Sequence, residues 1–184
     1  MRAKEIDAVL KRIDTISREG QVVAEVGCGP GTYTRHLAAR FSHVTALDAA
    51  HGMIDHMTTR MQREGHRNVV GAYGSVPDDL SAASGADGVV AIGVLDFADD
   101  LAAWMRSLRS CVVPGGWMVF TVPNARTAPR SAGAVEGLFS GRVVTREIDE
   151  VYDAAADAGL RRTQLAAVEH RGRNYTLVGS AIAP

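Results

Sequence analysis

The 184-residue sequence has few of the features that mark several common protein classes. Its two cysteines, Cys28 and Cys111, form neither a disulfide framework nor a zinc-binding spacing, so no metal site is expected. No apolar segment reaches the roughly 20 residues that a membrane-spanning helix needs. Lys plus Arg (20) balance Asp plus Glu (21), so no nucleic-acid partner is expected. The charged N-terminus lacks the pattern of a secretory signal, so a cytoplasmic location is the default expectation.

Composition and hydrophobic periodicity predict one α/β domain. Hydrophobic residues make up 46% of the chain and charged residues 22%, which is typical of a compact globular domain. No repeat or linker divides the chain, so residues 1–184 are expected to form a single domain. Apolar strand patterns alternate with amphipathic helical patterns, which favours a Rossmann-like, doubly wound, mostly parallel seven-stranded sheet with helices on both faces. An antiparallel C-terminal hairpin is expected at one edge of this sheet.

The periodicity also predicts where each element lies. Helices are predicted over Ala3–Ser17, Tyr33–Arg40, Gly52–Glu64, Asp100–Cys111 and Thr145–Ala158, with Gly20 and Gly159 as stop signals and Thr32 as the cap of the second helix. Strands are predicted over Val22–Val26, Val44–Asp48, Asn68–Ala72, Gly88–Gly93, Trp117–Val122, Arg162–Glu169 and Tyr175–Ile182. Turns are expected at Pro114–Gly116 and Arg171–Arg173. Residues 124–143 have no clear period and are expected to form an irregular segment on the substrate side.

A glycine-rich turn follows the first predicted strand. Glycines stand at three alternate positions, Gly27, Gly29 and Gly31. A dinucleotide fingerprint needs a glycine at its sixth position, where this chain has Thr32, so a nicotinamide or flavin fits poorly. A close-approach loop at the positive end of a helix suits a ligand carboxylate. Glu25 is expected to supply a fixed negative charge for an ammonium group, and Asp48 to accept hydrogen bonds from a ribose diol.

Four segments resemble the motifs of class I S-adenosylmethionine (SAM)-dependent methyltransferases. They are Val23–Gly31, Leu47–Ile54, Gly88–Asp96 and Leu108–Val119. The resemblance implies SAM as the methyl donor and S-adenosylhomocysteine (SAH) as its product. It implies cofactor contacts from Glu25, Gly27, Cys28, Gly29, Gly31, Asp48, Ala49, Met53, Ala72, Tyr73, Ile92 and Gly93.

The sequence departs from this family at the adenine site. Ala72 stands where the family commonly has an acid that holds the adenine amino group, so we expect backbone groups, Ser75 or Tyr73 to take its place. Alignment alone can supply about 7 to 11 kcal/mol of the barrier to a displacement, so a catalytic base is optional. The candidate catalytic residues are Asp96, Tyr33 and His51, and Asp96 has the alternative role of capping a helix.

Two signatures that are absent from the fourth-strand motif narrow the class of the methyl acceptor. Ile92–Leu95 carries neither the Asn/Asp-Pro-Pro-aromatic signature of amino-group methylases nor a Pro-Cys nucleophile. A small or carrier-bound acceptor with an O, N or C nucleophile is therefore expected, with neither a nucleic-acid nor a membrane partner. Two alternatives stay open. One is a catalytically weak SAM-binding subunit completed by a partner, for which a homodimer is one arrangement, and the other is a dinucleotide-dependent oxidoreductase.

Overall fold

A computed structural model describes residues 2–125, 143–170 and 173–184. Most of the irregular segment predicted at 124–143 therefore lies outside the described residues, as do residues 171 and 172 of the predicted hairpin turn. Within the described ranges, no helix is long and apolar enough to span a membrane.

Five helices and seven strands alternate along the described chain. The helices are α1 (Arg2–Ile16), α2 (Thr34–Ala38), α3 (His51–Arg63), α4 (Leu101–Ser110) and α5 (Ile148–Asp157). The strands are β1 (Val22–Val26), β2 (His43–Asp48), β3 (Val69–Tyr73), β4 (Ala86–Ala91), β5 (Val112–Pro123), β6 (Arg161–His170) and β7 (Arg173–Ile182). Each predicted element is present, with most ends displaced by one or two residues.

The seven strands form one sheet in the order β3-β2-β1-β4-β5-β7-β6. β1 pairs in parallel with both β2 and β4, whereas β7 is antiparallel to its two neighbours, β5 and β6. This arrangement confirms the predicted Rossmann-like fold with a C-terminal hairpin at the edge. The direction of chain progression reverses between β1 and β4, and ligands bind at such a point, beyond the carboxyl ends of the strands.

Both faces of the sheet are covered by apolar layers. Val23 of β1 packs in the layer formed with Val9 and Ile13 of α1, while the next residue, Ala24, packs in the opposite layer with α4 and α5. Successive side chains of a strand point to opposite faces, so a strand covered on both sides is mostly apolar, and Glu25 is the one polar residue of β1. β1 is buried from Val23 to Val26, which fixes the position of the turn that follows it.

β5 begins five residues earlier than predicted. Val112 pairs with Ala86 and Trp117 with Gly88, so the segment expected as a turn lies inside the strand as a bulge. Gly115 provides the positive φ of +80° that this irregularity requires. A Cβ atom at Gly88 would overlap the indole ring of Trp117, so the glycine allows the ring to lie against the neighbouring strand.

The predicted helix starts at α2 and α5 were wrong in detail. Tyr33, not Thr32, is the N-cap residue of α2, and it makes no side-chain capping bond. α5 begins after Glu147, which forms a reciprocal capping box with Glu150. The helix thus starts three residues after the predicted Thr145, with a carboxylate as its cap, and the acidic residues of its first turn also interact favourably with the helix dipole.

Candidate active site

A cleft of about 730 Å³ opens beyond the carboxyl ends of β1, β2 and β4. This volume lies in the range of sites that bind small molecules and cofactors. Its walls come from the turn after β1, the end of β2 with the start of α3, the segment after β3, and the turn after β4. α1 and α4 complete one end of it. The cleft therefore lies where the strand order predicts a ligand site.

The three glycines of the turn after β1 have different structural roles. Gly27, Gly29 and Gly31 all have positive φ, of +74°, +50° and +82°. A Cβ atom at Gly27 would overlap the Val94 side chain, and one at Gly31 would lie 3.0 Å from Cγ of Met57. A Cβ atom at Gly29 would have nothing within 4 Å. Gly27 and Gly31 thus permit close packing, while the backbone at Gly29 is open to the cleft.

Asp48 connects the glycine turn to the start of α3. Its Oδ2 accepts a hydrogen bond from the Gly29 backbone N–H at 2.8 Å, and its Oδ1 accepts one from the Ala50 N–H at 2.9 Å. Each carboxylate oxygen has two acceptor sites, so both oxygens can accept a second donor. Asp48, Ala49 and Met53 all line the cleft. A carboxylate fixed in this way is suited to bind a vicinal diol.

Glu25 lies beneath the turn and is not among the residues that line the cleft. Its side chain is buried, and Oε2 accepts a hydrogen bond from the Thr34 hydroxyl at 2.5 Å. Burial raises the pKa of Glu25 to about 8; the Thr34 hydrogen bond opposes this shift, and the nearby charge of Asp48 adds to it. Burial thus favours the uncharged form of the carboxyl group. The fixed negative charge for an ammonium group stays a prediction from the sequence, and the sequence alone does not show the depth at which Glu25 is buried.

The segment after β3 lines the cleft one step later than predicted. Gly74, Ser75 and Val76 lie on the wall, whereas Ala72 and Tyr73 do not. The Ser75 backbone is held in position by two 2.8 Å hydrogen bonds with the Asp79 backbone. Ser75 was one of the expected alternatives, while Gly74 and Val76 were missed. Their position in the sequence could have identified them, because they come directly after β3, just as the cleft residues Ala49 and Ala50 come directly after β2.

Tyr73 and His51 form a pair on the surface. Their rings stack at 4.8 Å with an interplanar angle of 20°, and the Tyr73 side chain is half exposed. Neither residue lines the cleft, so the structure does not bring the candidate base His51 to the site.

Three polar residues, Glu5, Tyr33 and Asp96, meet at the end of the cleft beside α1. We call this group the acidic end. The buried Tyr33 donates a hydrogen bond from its hydroxyl to Oε1 of Glu5 at 2.9 Å. Glu5 was missed from the sequence because it lies on the polar side of an amphipathic helix, where a solvated charge is the ordinary interpretation.

Asp96 belongs to a 3₁₀ turn over Leu95–Phe97. Burial raises the pKa of Asp96 to about 7; the negative charge of Glu5 adds to this shift, and a hydrogen bond from the Asp96 backbone opposes it. The alternative role of helix capping is excluded for α4, because Asp100 is the N-cap residue and accepts from the Ala103 N–H at 2.9 Å. Asp96 is therefore available to the cleft as a group that titrates near neutral pH.

Cys28, Ile92 and Gly93 line the middle of the cleft. Gly93 has φ of +71°, and its N–H donates to the Thr121 hydroxyl at 2.9 Å, which holds the turn after β4 against β5. Burial raises the pKa of the Cys28 thiol, so this residue contributes shape and backbone rather than a thiolate. An open glycine backbone, a carboxylate positioned to accept further hydrogen bonds and a continuous cleft fit a ligand with the groups of SAM.

Comparison with protein families matches residues 1–175 to the methyltransferase domain family. The chain belongs to this family. Its fold is the class I methyltransferase fold, and SAM is the methyl donor of the family. The sequence-based assignment of the chain to the SAM-dependent methyltransferase family is confirmed, and the alternative of a dinucleotide-dependent oxidoreductase is set aside.

The similar curated proteins include O-methyltransferases. The chain is 27% identical over 146 residues to malonyl-[acyl-carrier protein] O-methyltransferase of Erwinia billingiae, covering 77% of this chain and 54% of that protein. It is 32% identical over 122 residues to ubiquinone biosynthesis O-methyltransferase of Chromobacterium violaceum, covering 61% and 50%. The chain spans about half the length of these relatives.

Solved structures share the fold across the whole chain. Magnesium protoporphyrin IX methyltransferase from Synechocystis PCC 6803, solved with bound SAH, superposes with a TM-score of 0.80 at 17% identity, covering 100% of this chain and 85% of that one. Phosphoethanolamine N-methyltransferase 2 of Haemonchus contortus, in complex with SAM, gives 0.79 at 14% identity, covering 98% and 52%. At such identities the likeness shows the fold alone.

Proposed function

We propose that the chain transfers the methyl group of SAM to an O, N or C nucleophile of a small or carrier-bound acceptor by in-line displacement. The observation that carries this proposal is that one cleft is lined both by Asp48, at the end of β2, and by Asp96, after β4, and these two strands lie on opposite sides of β1. A donor held at the Asp48 end and an acceptor held at the acidic end would meet between them. Such alignment of two reactants is itself a large part of catalysis.

The residues at the Asp48 end would hold the cofactor, which supplies an electrophilic methyl group on a sulfonium. Asp48 would accept hydrogen bonds from the ribose hydroxyls, and the turn over Gly27–Gly31 would approach the amino-acid part of the ligand. Met53 and the backbone at Ser75 would border the adenine. Glu25 would act from below the turn, because an ammonium group beside it lowers its pKa and favours its charged form.

The acceptor class rests on the charge of the chain and on its relatives. The near-neutral balance of charges gives no general attraction for nucleic acid. One curated relative is named for an acyl-carrier-protein substrate, which supports keeping a carrier-bound acceptor within the proposal. The cytoplasmic location and the oligomeric state stay predictions from the sequence.

Calorimetric titration with SAH tests the proposal without knowledge of the acceptor. We expect the wild-type protein to bind SAH with micromolar affinity. The Asp55→Ala variant, which changes an exposed acid on α3, should bind equally well. Failure of the folded wild-type protein to bind SAH contradicts the proposal.

The alternative of a weak subunit that needs a partner makes a different prediction. It requires that the isolated chain bind SAH and transfer no methyl group until a second chain is added. Light scattering during turnover separates the two, because an active monomer excludes the need for a partner.

A further inference from the structure

β3 forms one edge of the sheet, and among the described residues it pairs with β2 alone. Asn68, just before β3, accepts a backbone hydrogen bond from Val44 of β2 at 2.8 Å. Gly74, just after β3, donates one to the Asp48 carbonyl at 3.1 Å. Successive residues of a strand direct their backbone groups to alternate sides, so the even-numbered residues face β2. The backbone groups that point to the open side belong to Val69, Gly71 and Tyr73.

This open edge is uncharged and apolar. β3 has no charged side chain, and Val70 and Tyr73 are 51% and 49% exposed. Five large hydrophobic residues are exposed in the described parts of the chain, so this short strand holds two of them; the others are Val22, Met53 and Tyr152. A strand edge with unpaired backbone groups and apolar side chains is a template for another strand.

The opposite edge of the sheet, β6, is protected against such pairing. The ladder between β6 and β7 shifts register near both of its described ends. Arg161 and Arg162 of β6 are exposed, and Arg162 has a positive φ of +52°. Bulges and charged side chains keep an edge strand from pairing with other chains. The ladder between β3 and β2 has no shift, so the fold protects one edge and leaves the other open.

We propose that β3 pairs with β3 of a second copy of this chain, antiparallel, about a two-fold axis at Gly71. In this register Gly71 lies opposite its counterpart, and Val69 lies opposite Tyr73 of the second copy. All three residues with outward backbone groups then form hydrogen-bonded pairs. A β-branched residue opposite an aromatic residue is a favourable cross-strand pair, and a two-fold dimer is the commonest form of self-association. One sheet would continue through both copies.

The charges beyond the two ends of β3 favour a second copy as the occupant of this edge. Arg67 is exposed just before the strand. Asp79 is exposed after the strand, where two 2.8 Å backbone hydrogen bonds hold it beside Ser75. Hydrogen bonds from the Ser81 N–H and hydroxyl lower the pKa of Asp79 and favour its charged form. The proposed register places Arg67 opposite Ser75 of the second copy, so opposite charges meet at two symmetric places.

Sedimentation equilibrium of the ligand-free protein at micromolar concentrations tests the dimer. We expect the mass to rise with concentration towards twice the 19.5 kDa of one chain. Val70→Lys adds a charge to the open edge and should raise the dissociation constant at least about tenfold. Val22→Lys, the same change at another exposed strand residue, should leave the dissociation constant unchanged. Circular dichroism and urea unfolding show that both variants are folded.

Disulfide cross-linking tests the register. In the proposed pairing, Val70 lies opposite Ala72 of the second copy, at the Cα separation of about 4.5 Å that a disulfide can bridge. Two copies of residue 70, or of residue 72, lie diagonally at about 7–8 Å, which is too far. An equal mixture of Val70→Cys and Ala72→Cys chains should therefore form cross-linked dimers in air, whereas each variant alone should not. The native Cys28 and Cys111 are both buried.

The contrary outcomes are distinct. A wild-type protein that is monomeric at every concentration overturns the proposal and leaves the open edge to a different chain. A dimer that Val70→Lys does not weaken also overturns it, because another surface then forms the dimer. Cross-linking of Val70→Cys with itself excludes the two-fold pairing at Gly71. The dimer is measured without SAM or SAH, so a failure of SAH binding contradicts the proposed function and leaves this inference intact.

Discussion

Replacing Gly27 by alanine should destabilise the protein more than the same change two residues later. The Gly27 backbone has φ of +74°, a conformation that costs an alanine roughly 1–2 kcal/mol. The added Cβ atom would also overlap Cγ2 of Val94, and such overpacking costs typically about 1–3 kcal/mol. The two contributions together give a loss of about 2–5 kcal/mol in the free energy of unfolding.

Gly29→Ala is the matched control for this prediction. Its φ is +50°, but an added Cβ atom would have nothing within 4 Å, so only the conformational cost of roughly 1–2 kcal/mol applies. The new methyl group would instead occupy space at the cleft and weaken SAH binding. Gly27→Ala should therefore mainly affect stability, and Gly29→Ala mainly affect ligand affinity.

A double-mutant cycle of Gly27→Ala with Val94→Ala, measured by urea unfolding, separates the overlap with Val94 from the conformational cost at residue 27. Truncating Val94 removes the atom that the new Cβ would meet, so the double variant should recover most of the overpacking cost and keep the conformational cost. Equal destabilisation by Gly27→Ala and Gly29→Ala, or no recovery in the double variant, would refute the proposed packing of the turn against Val94.

Three other substitutions test separate features of the structure, two in or beneath the cleft and one at the start of α4. Asp48→Ala should weaken SAH binding by about 1.5–3 kcal/mol through the loss of charged hydrogen bonds, as measured by calorimetry, while Asp55→Ala should not. For Glu25, the folded-state pKa of about 8 lies above the ordinary value of 4.5, so stability should fall as pH rises between these values, and Glu25→Gln should flatten this dependence in urea titrations. Asp100→Ala should lower the free energy of unfolding by about 1 kcal/mol, because it removes the cap of α4, whereas the exposed Asp99→Ala should have little effect.

The sequence predicts those parts of the fold in which burial produces a local pattern of apolar residues. A strand covered on both faces, such as Val23–Val26, is apolar apart from Glu25 and ends where the glycines begin. Asp48 could be placed in the site for the same reason, because it follows a buried strand that lies beside β1. The fold class and the Asp48 end of the cleft follow from these local patterns.

The remaining features depend on contacts between distant residues. β5 starts early because Val112 pairs with Ala86 on the neighbouring strand, before the register shift that precedes the pairing of Trp117 with Gly88, and no local pattern shows this pairing. Glu5 reaches the cleft only because α1 packs over the sheet and Tyr33 holds its carboxylate. The raised pKa of Glu25 likewise depends on its burial beneath a turn. In each case, contacts between residues that are distant in the sequence determine a feature that the local sequence does not show.

A crystal structure of the protein grown with SAH tests the central claim most directly. The account predicts SAH in the cleft between the ends of β1 and β4, with its ribose hydroxyls hydrogen-bonded to Asp48 and its sulfur on the side of Asp96. A ribose bound away from Asp48, or SAH bound outside this cleft, would contradict it.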